Sequence, residues 1–190
     1  VEVEKGTIFN DETLALIHQA TQGVDNLPGV NHNLVSSLTH RTARKIFLDE
    51  QGGFASESYY DPAKSTRTVA ELEQLKKDVI ANPTIFGLLV SPDLKAALIK
   101  AQLNEADIDY PKTFEALQKV RESLSVPGHT IHVTGNPVLT GWVYTYLNQI
   151  VEILAWTLAL ITVLLIVYFR RFYGIALPLL GIALSTIWGL

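Results

Sequence analysis

The stretch Ile153-Leu154-Ala155-Trp156-Thr157-Leu158-Ala159-Leu160-Ile161-Thr162-Val163-Leu164-Leu165-Ile166-Val167-Tyr168-Phe169 carries no charged side chain and would be apolar on every face of a helix. At ~1.5 Å per residue it covers about 26 Å, close to the hydrocarbon thickness of a bilayer once its flanks are added. Eleven of these residues are Leu, Ile, Val or Phe. They are worth on the order of −3 to −7 kcal/mol on the insertion scale, which outweighs Trp156 and the Thr hydroxyls. The run predicts a transmembrane helix rather than the core helix of a water-soluble domain.

Working toward the C-terminus, only Arg170 and Arg171 separate this run from a second uncharged stretch, residues 172–190. We expect the chain to turn there and re-enter the membrane. Excess Lys and Arg stays on the cytoplasmic side, so Arg170 and Arg171 act as topology anchors of a two-residue cytoplasmic turn. Residues 1–146 then lie outside, in the periplasm of a bacterium, with the chain a multi-pass protein of its inner membrane. Pro178 predicts a kink that neighbouring helices would re-satisfy. Gly181, Ser185 and Gly189 fall at i, i+4 and i+8 and form a small-residue stripe for helix packing. Glu152 sits at the outer end of the apolar run and is expected at the headgroups rather than in a proton relay. There is no Met, and nothing polar follows Leu190 to anchor the second stretch, so we expect a piece excised from a longer membrane protein.

The composition agrees. The 190 residues are 48% hydrophobic and 18% charged, with a mean hydropathy of +0.21. All charged residues but Glu152, Arg170 and Arg171 lie before position 147, leaving 13 basic and 18 acidic groups in residues 1–146. An acidic domain without a basic patch excludes nucleic acid as a partner. The absence of Cys excludes disulfides, thiolate metal sites and thiol catalysis.

Toward the N-terminus the pattern turns to mixed elements. Val1-Glu2-Val3-Glu4 alternates as a strand would and points toward Ile8 and Phe9. Asn10 or Asp11 caps a helix carrying Leu14, Ile17, Ala20 and Val24, which Pro28-Gly29 ends. Residues 30–39 predict a second strand. Residues 49–68 have no apolar period and read as a long loop. Val69, Leu72, Leu75 and Val79 mark a helix ending before Asn82-Pro83. Residues 85–90 and 96–103 flank Ser91-Pro92-Asp93 as a hairpin. Asp107 or Asp109 caps a further helix with Pro111 in its first turn and a buried stripe of Phe114, Leu117, Val120 and Leu124. Residues 130–134 predict a last strand, and a helix starting near Val138 runs on into the bilayer.

The expected fold class is therefore an α+β domain, with helices on one face of an antiparallel sheet, followed by two transmembrane helices. The boundaries are 1–136 for the periplasmic domain and 137–169 for a helix whose span covers about 147–169. A turn at 170–171 and a truncated second span at 172–190 complete the chain.

Little here points to catalysis. His129 and His132 lie three apart, on opposite faces of a strand, and His18, His32 and His40 lack a carboxylate or His partner at ligand spacing, so no metal site is expected. There is no nucleophile elbow and no phosphate-binding glycine loop. Asp107 and Asp109 read as caps. No catalytic residue and no cofactor is assigned. The aromatic residues Phe54, Tyr59 and Tyr60 are candidates for contact with an apolar substrate, against an ordinary role as a loop anchor.

Six stretches carry a family likeness. Ile8-Phe9-Asn10-Asp11-Glu12-Thr13-Leu14, Leu27-Pro28-Gly29-Val30 and Ser37-Leu38-Thr39 resemble the first periplasmic loop of the resistance-nodulation-division (RND) exporters. Val90-Ser91-Pro92-Asp93, Thr134-Gly135-Asn136-Pro137-Val138-Leu139-Thr140-Gly141 and Phe169-Arg170-Arg171-Phe172-Tyr173-Gly174-Ile175-Ala176-Leu177-Pro178 resemble junctions of its MMPL-like, hydrophobe-exporting branch. The resemblance implies a proton-driven permease of about a dozen helices in two repeated halves, with porter domains built on ferredoxin-like units. This chain would be the first porter segment with the second and part of the third helix, its proton-relay acid lying beyond it. Its partners would be membrane lipids, the remaining helices of the parent chain and a hydrophobic or amphiphilic substrate, with a homo-oligomer left open. Two other classes remain: an extracytoplasmic ligand-binding domain of a receptor, and an ATP-driven export permease subunit. The receptor needs a cytosolic output domain, for which Arg170-Arg171 leaves no room directly there, and the permease needs elements to grip its ATPase, for which that turn is a poor handle; both stay open if such parts lie outside this stretch.

Overall fold

The first helix shows how local chemistry sets the elements. Asn10 is extended (φ −142°) and its side chain accepts from the Thr13 amide at 2.8 Å while donating to the Thr7 carbonyl at 2.9 Å, which starts α1 (Asp11–Asp25). Asp11 and Glu12 then complement the helix N-terminus. Leu14 and Ile17 are fully buried. Together with Val3, Ile8, Leu38, Leu75, Val79 and Val90 they form the main core, and each contributes about 1.5–3 kcal/mol by leaving water.

The computed structural model describes residues 1–48, 52–64, 66–104, 108–169 and 172–189. They divide into two compact units, Val1–Trp142 and Val143–Leu190.

In the first unit, α2 (Val69–Ala81) opens on a capping box: Thr68 accepts from the Glu71 amide at 3.3 Å and Glu71 accepts from the Thr68 amide at 2.8 Å. It buries Leu75 and Val79 against the main core. Helix α3 (Tyr110–Ser123) is capped by Asp109, with Pro111 in its first turn, and buries Thr113 and Phe114. Asp107, the other cap considered, lies outside the described residues. These three helices match the apolar periodicity of the sequence.

The strands depart from expectation. Instead of one sheet covered by helices, the unit has two separate antiparallel pairs, β1 (Glu2–Val3) with β4 (His129–Thr130), and β2 (Arg44–Leu48) with β3 (Phe54–Ser58). The 30–39 strand does not form. Asn31 accepts from the Asn33 amide at 3.2 Å and nucleates a 3-10 turn at His32–Leu34, a local side-chain bond that competes with a ladder. The expected loop at 49–68 contains β3, which closes a hairpin with β2 in the register Arg44↔Ser58 to Leu48↔Phe54. Lys45 fixes it from below, bridging Glu57 of β3 and Asp78 of α2 at 3.1 Å each.

The hairpin expected around Ser91-Pro92-Asp93 is reduced to its turn. Leu94 donates to the Ser91 carbonyl at 2.9 Å, and the Ser91 amide to Ala96 at 2.9 Å. Residues 85–90 coil on themselves, the Ile85 carbonyl accepting from Leu89 at 2.8 Å and Val90 at 3.0 Å. Residues 96–103 change partner every few positions, bridging Glu2 through Ala96, Val90 through Ala97, Ser36 through Lys100 and Val30 through Leu103. So the middle of the domain is held by single bridges to four segments rather than by one continuous ladder. The last strand ends at Thr130, short of the expected 134.

Helix α4 (Asn136–Phe169) begins two residues before the expected Val138, with Pro137 in its first turn, where the missing N–H costs nothing. In the second unit its residues Ile153, Leu154, Trp156, Leu160 and Val163 are exposed, and its most apolar stretch is 0% buried, unlike the core helix of a water-soluble domain. The segment Asn136–Tyr168 is long and apolar enough to cross a membrane. Thr157 and Thr162 donate their hydroxyls to the carbonyls of Ile153 and Leu158, both at 2.8 Å. Helix α5 (Phe172–Gly189) contains Pro178 and a shorter apolar segment, Ala176–Ser185. Arg170 and Arg171 lie outside the described residues.

Candidate functional site

A cleft of about 340 Å³ opens in the first unit. One wall is the end of α1, where Ala20, Val24 and Leu27 turn away from the main core. Another is α3, contributing Leu117, Val120 and Leu124. Segments 97–103 and 131–138 close it, the latter ending in the first turn of α4. The sequence marks Leu117, Val120 and Leu124 as a buried stripe. They are only half-buried, because the stripe faces this cleft rather than packed core. Two glycines let the walls approach. A Cβ at Gly23 of α1 would stand 2.9 Å from a Val120 methyl, and one at Gly141 of α4 would stand 2.5 Å from Phe114 Cβ and 2.6 Å from the Tyr110 carbonyl oxygen. An apolar cavity with a few polar groups at its rim is what a small-molecule site requires. None of its liners was singled out for binding from the sequence, since a stripe at helical spacing reads equally as core.

The aromatic candidates part company. Phe54 stands on β3, 85% exposed, whereas Tyr59 and Tyr60 are buried in the main core. Tyr59 accepts at its hydroxyl from Asn82 Nδ2 at 2.9 Å. Tyr60 lies between the His18 ring, 5.0 Å away between centroids, and the Arg67 guanidinium, 4.4 Å from its ring centre. Arg67 in turn donates from its amide at 2.9 Å and from Nη1 at 3.1 Å to Asp11, whose carboxyl is held below the ordinary aspartate range chiefly by that backbone hydrogen bond. These contacts anchor the 59–68 segment to the start of α1, a link that residues 56 apart do not advertise.

A second, polar pocket of about 380 Å³ is lined by His18, Asp25, His40, Arg41 and Ser58 among others. His32, expected to lack a carboxylate partner, bonds through Nδ1 to Asp25 at 2.9 Å. His40 is held below the usual imidazole value, first by burial, and bonds Thr42 Oγ1 at 2.9 Å. Above it, the hydroxyls of Thr21, Ser37 and Thr39 form a buried trio, with Thr21 2.7 Å from Ser37 and also donating to the Ile17 carbonyl. That trio gives a physical reason for Ser37-Leu38-Thr39, which ties its segment to α1. His129 bonds Thr13 Oγ1 at 2.8 Å and His132 bonds Glu2 at 3.2 Å. Among the described residues no three metal-ligating side chains converge.

Of the proposed packing stripe, Gly181 and Ser185 are exposed on α5, and a Cβ at Gly181 would meet nothing within 4 Å. Gly189 closes the helix.

The chain thus joins an α+β unit that holds an apolar cleft to a helix long and apolar enough to cross a membrane. The chain belongs to the MMPL family, whose model matches residues 20–190. Members of that family are membrane transporters of the RND superfamily, not enzymes. No curated protein and no solved structure matches the chain.

Proposed function

We propose that this chain is the first porter segment, with the second and part of the third membrane helix, of an inner-membrane secondary transporter that exports hydrophobic or amphiphilic molecules on proton flux. In this reading residues 1–146 stand in the periplasm as part of a ferredoxin-like porter unit, and α4 and α5 both cross the lipid. Arg170 and Arg171 turn in the cytoplasm, while Gly181, Ser185 and Gly189 seat the remaining helices of the parent chain. No cofactor or metal is needed. The observation that carries the reading is the apolar cleft, which gives a transporter-family chain somewhere to hold an oily molecule outside the bilayer. No observation favours the receptor or the ATP-driven alternative.

Filling the cleft tests it. In cells expressing the complete reading frame, Val133→Trp or Leu124→Trp is expected to cut efflux of a hydrophobic dye at least fivefold, an effect on the order of 1 kcal/mol, and a protonophore to abolish it. Unchanged efflux in both variants would remove the cleft from the transport route. Topology is read separately in this Cys-free chain: single Cys residues at Ser58 and at Arg170 should react with an impermeant maleimide from opposite sides, and reaction of both from outside defeats the arrangement.

A further inference from the structure

Among the described residues the titratable side chains lining the apolar cleft are Lys100, Arg121 and His132, with no carboxylate. The described residues of 1–146 carry 14 acidic and 13 basic groups, so a lining with three bases and no acid is uneven. Elsewhere on the domain Lys45 pairs with Glu57 and Asp78, Lys64 with Glu71, Arg67 with Asp11, Lys112 with Asp109 and Lys119 with Glu115, while Lys5, Arg41, Arg44, Lys77 and Lys95 have no ion pair among the described residues. Lys100 and Arg121 have no acidic partner within ion-pair distance among the described residues, and His132 shares Glu2. Arg121 lies in the last turn of α3, four residues after Leu117 and three before Leu124, and lines the cleft beside that apolar wall while remaining exposed.

The size of the cleft restricts what the cations can serve. At about 340 Å³ it stands at the small end of the roughly 300–1,000 Å³ typical of ligand pockets. It suits one hydrocarbon chain better than two. We infer that the cleft takes a single-chain amphiphile with an anionic head, its chain lying against Val24, Leu117 and Val120 and its carboxylate or phosphate held by Arg121 and Lys100. The guanidinium fork matches either oxyanion in two-point contact, and the ammonium adds a second positive charge. This rests on the cleft being a substrate site, as proposed above, and adds the charge of the head and the number of chains.

The test uses the full chain in phosphatidylcholine nanodiscs, with binding of radiolabelled decanoate, decyl phosphate, decanol and decyltrimethylammonium measured by equilibrium dialysis against empty discs. Decanoate and decyl phosphate are expected to bind about tenfold or more tightly than decanol, as a charge-assisted hydrogen bond supplies, and the cationic probe most weakly. Lengthening the carboxylate from eight to ten carbons should tighten binding by about two- to fourfold per methylene. Arg121→Gln combined with Lys100→Gln alters exposed side chains, so folding is spared; it should bring decanoate down to the level of decanol. Inorganic phosphate at millimolar concentration should not displace decanoate, and phosphatidylglycerol added to the discs should not compete.

Equal affinity for decanoate and decanol, or a preference that survives the double substitution, overturns the inference. Displacement by inorganic phosphate, meaning a plain anion site, or by phosphatidylglycerol, meaning a two-chain lipid, does so as well. Val133→Trp separates the two readings. If decanol and decanoate bind equally and both are lost in that variant, the cleft stands and the anionic head falls. If neither probe binds the unmodified chain, the cleft falls as a substrate site and the inference with it.

Discussion

Replacing Gly141 with Ala places a methyl group where α4 meets α3. The added carbon would stand 2.5 Å from Phe114 Cβ and 2.6 Å from the Tyr110 carbonyl oxygen, positions fixed by backbone rather than by a side chain that could swing aside. Ordinary carbon contacts lie at about 3.5–4.0 Å, so the two helices must part by about 1 Å. Overpacking of that kind costs about 1–3 kcal/mol. Ala gains up to ~1 kcal/mol over Gly in helix propensity. The net expectation is a loss of about 1–2 kcal/mol from a unit spanning Val1–Trp142. For a domain of this size that corresponds to a fall in Tm of about 2–8 °C. Thermal unfolding of the full chain in mild detergent, followed by near-ultraviolet circular dichroism, reads it directly. Leu139→Ala serves as control, because Leu139 is 67% exposed two residues earlier on the same helix and its loss should leave the Tm nearly unmoved. A Gly141→Ala protein melting at or above the parent temperature would refute the close seating of α4 on α3.

Other perturbations probe the polar anchors. Thr21→Val removes the centre of the buried hydroxyl trio while leaving Ser37 and Thr39 3.3 Å apart as mutual partners, so the urea midpoint should fall by the equivalent of about 1–2 kcal/mol with the slope unchanged. Glu71 has its pKa lowered to about 2 by the Lys64 ammonium and the Thr68 amide. A carboxylate depressed in the folded state stabilises above its unfolded pKa near 4.5 and loses that contribution as pH falls toward 2. Glu71→Gln should therefore flatten the acid limb of the stability curve over that window, and an unchanged limb argues against the Lys64–Glu71 pair and the charged bond to the Thr68 amide. His40 is depressed by burial, so the unfolded chain takes the proton first as pH falls through its ordinary value of 6.5. The stability contribution present above that pH declines below it, and His40→Gln should lessen the decline between pH 7 and 5 in denaturant titrations.

The helices were legible because each carries its own punctuation: Asn10 before Leu14 and Ile17, Asn82-Pro83 after Leu75 and Val79, Asp109-Tyr110-Pro111 before Phe114. The long apolar run was legible because charge is absent over more than four turns. The strands were not, since their partners are distant and change along the chain. Phe54-Ala55-Ser56-Glu57-Ser58 offers one large apolar residue to signal a strand and is held instead by pairing with Arg44–Leu48. Residues 96–103 look like a strand by composition but meet four segments in turn, which no local pattern encodes. The cleft was hidden for a related reason. Val24, Leu117 and Val120 obey helical spacing, and whether such a stripe packs tightly or leaves space depends on the volume of what faces it. Here the facing positions include Ala20, Ala97 and Ala101, too small to fill the gap.

Thr157 and Thr162 turn their hydroxyls back onto the helix that bears them. Those hydroxyl protons travel with α4 already satisfied, so they ask for no acceptor on a neighbour and leave it only the oxygens' remaining lone pairs. Around these two positions the choice of a companion helix falls to contour, to how bumps and hollows mesh, and a mutation that reshapes the surface should matter there more than one that alters its polarity.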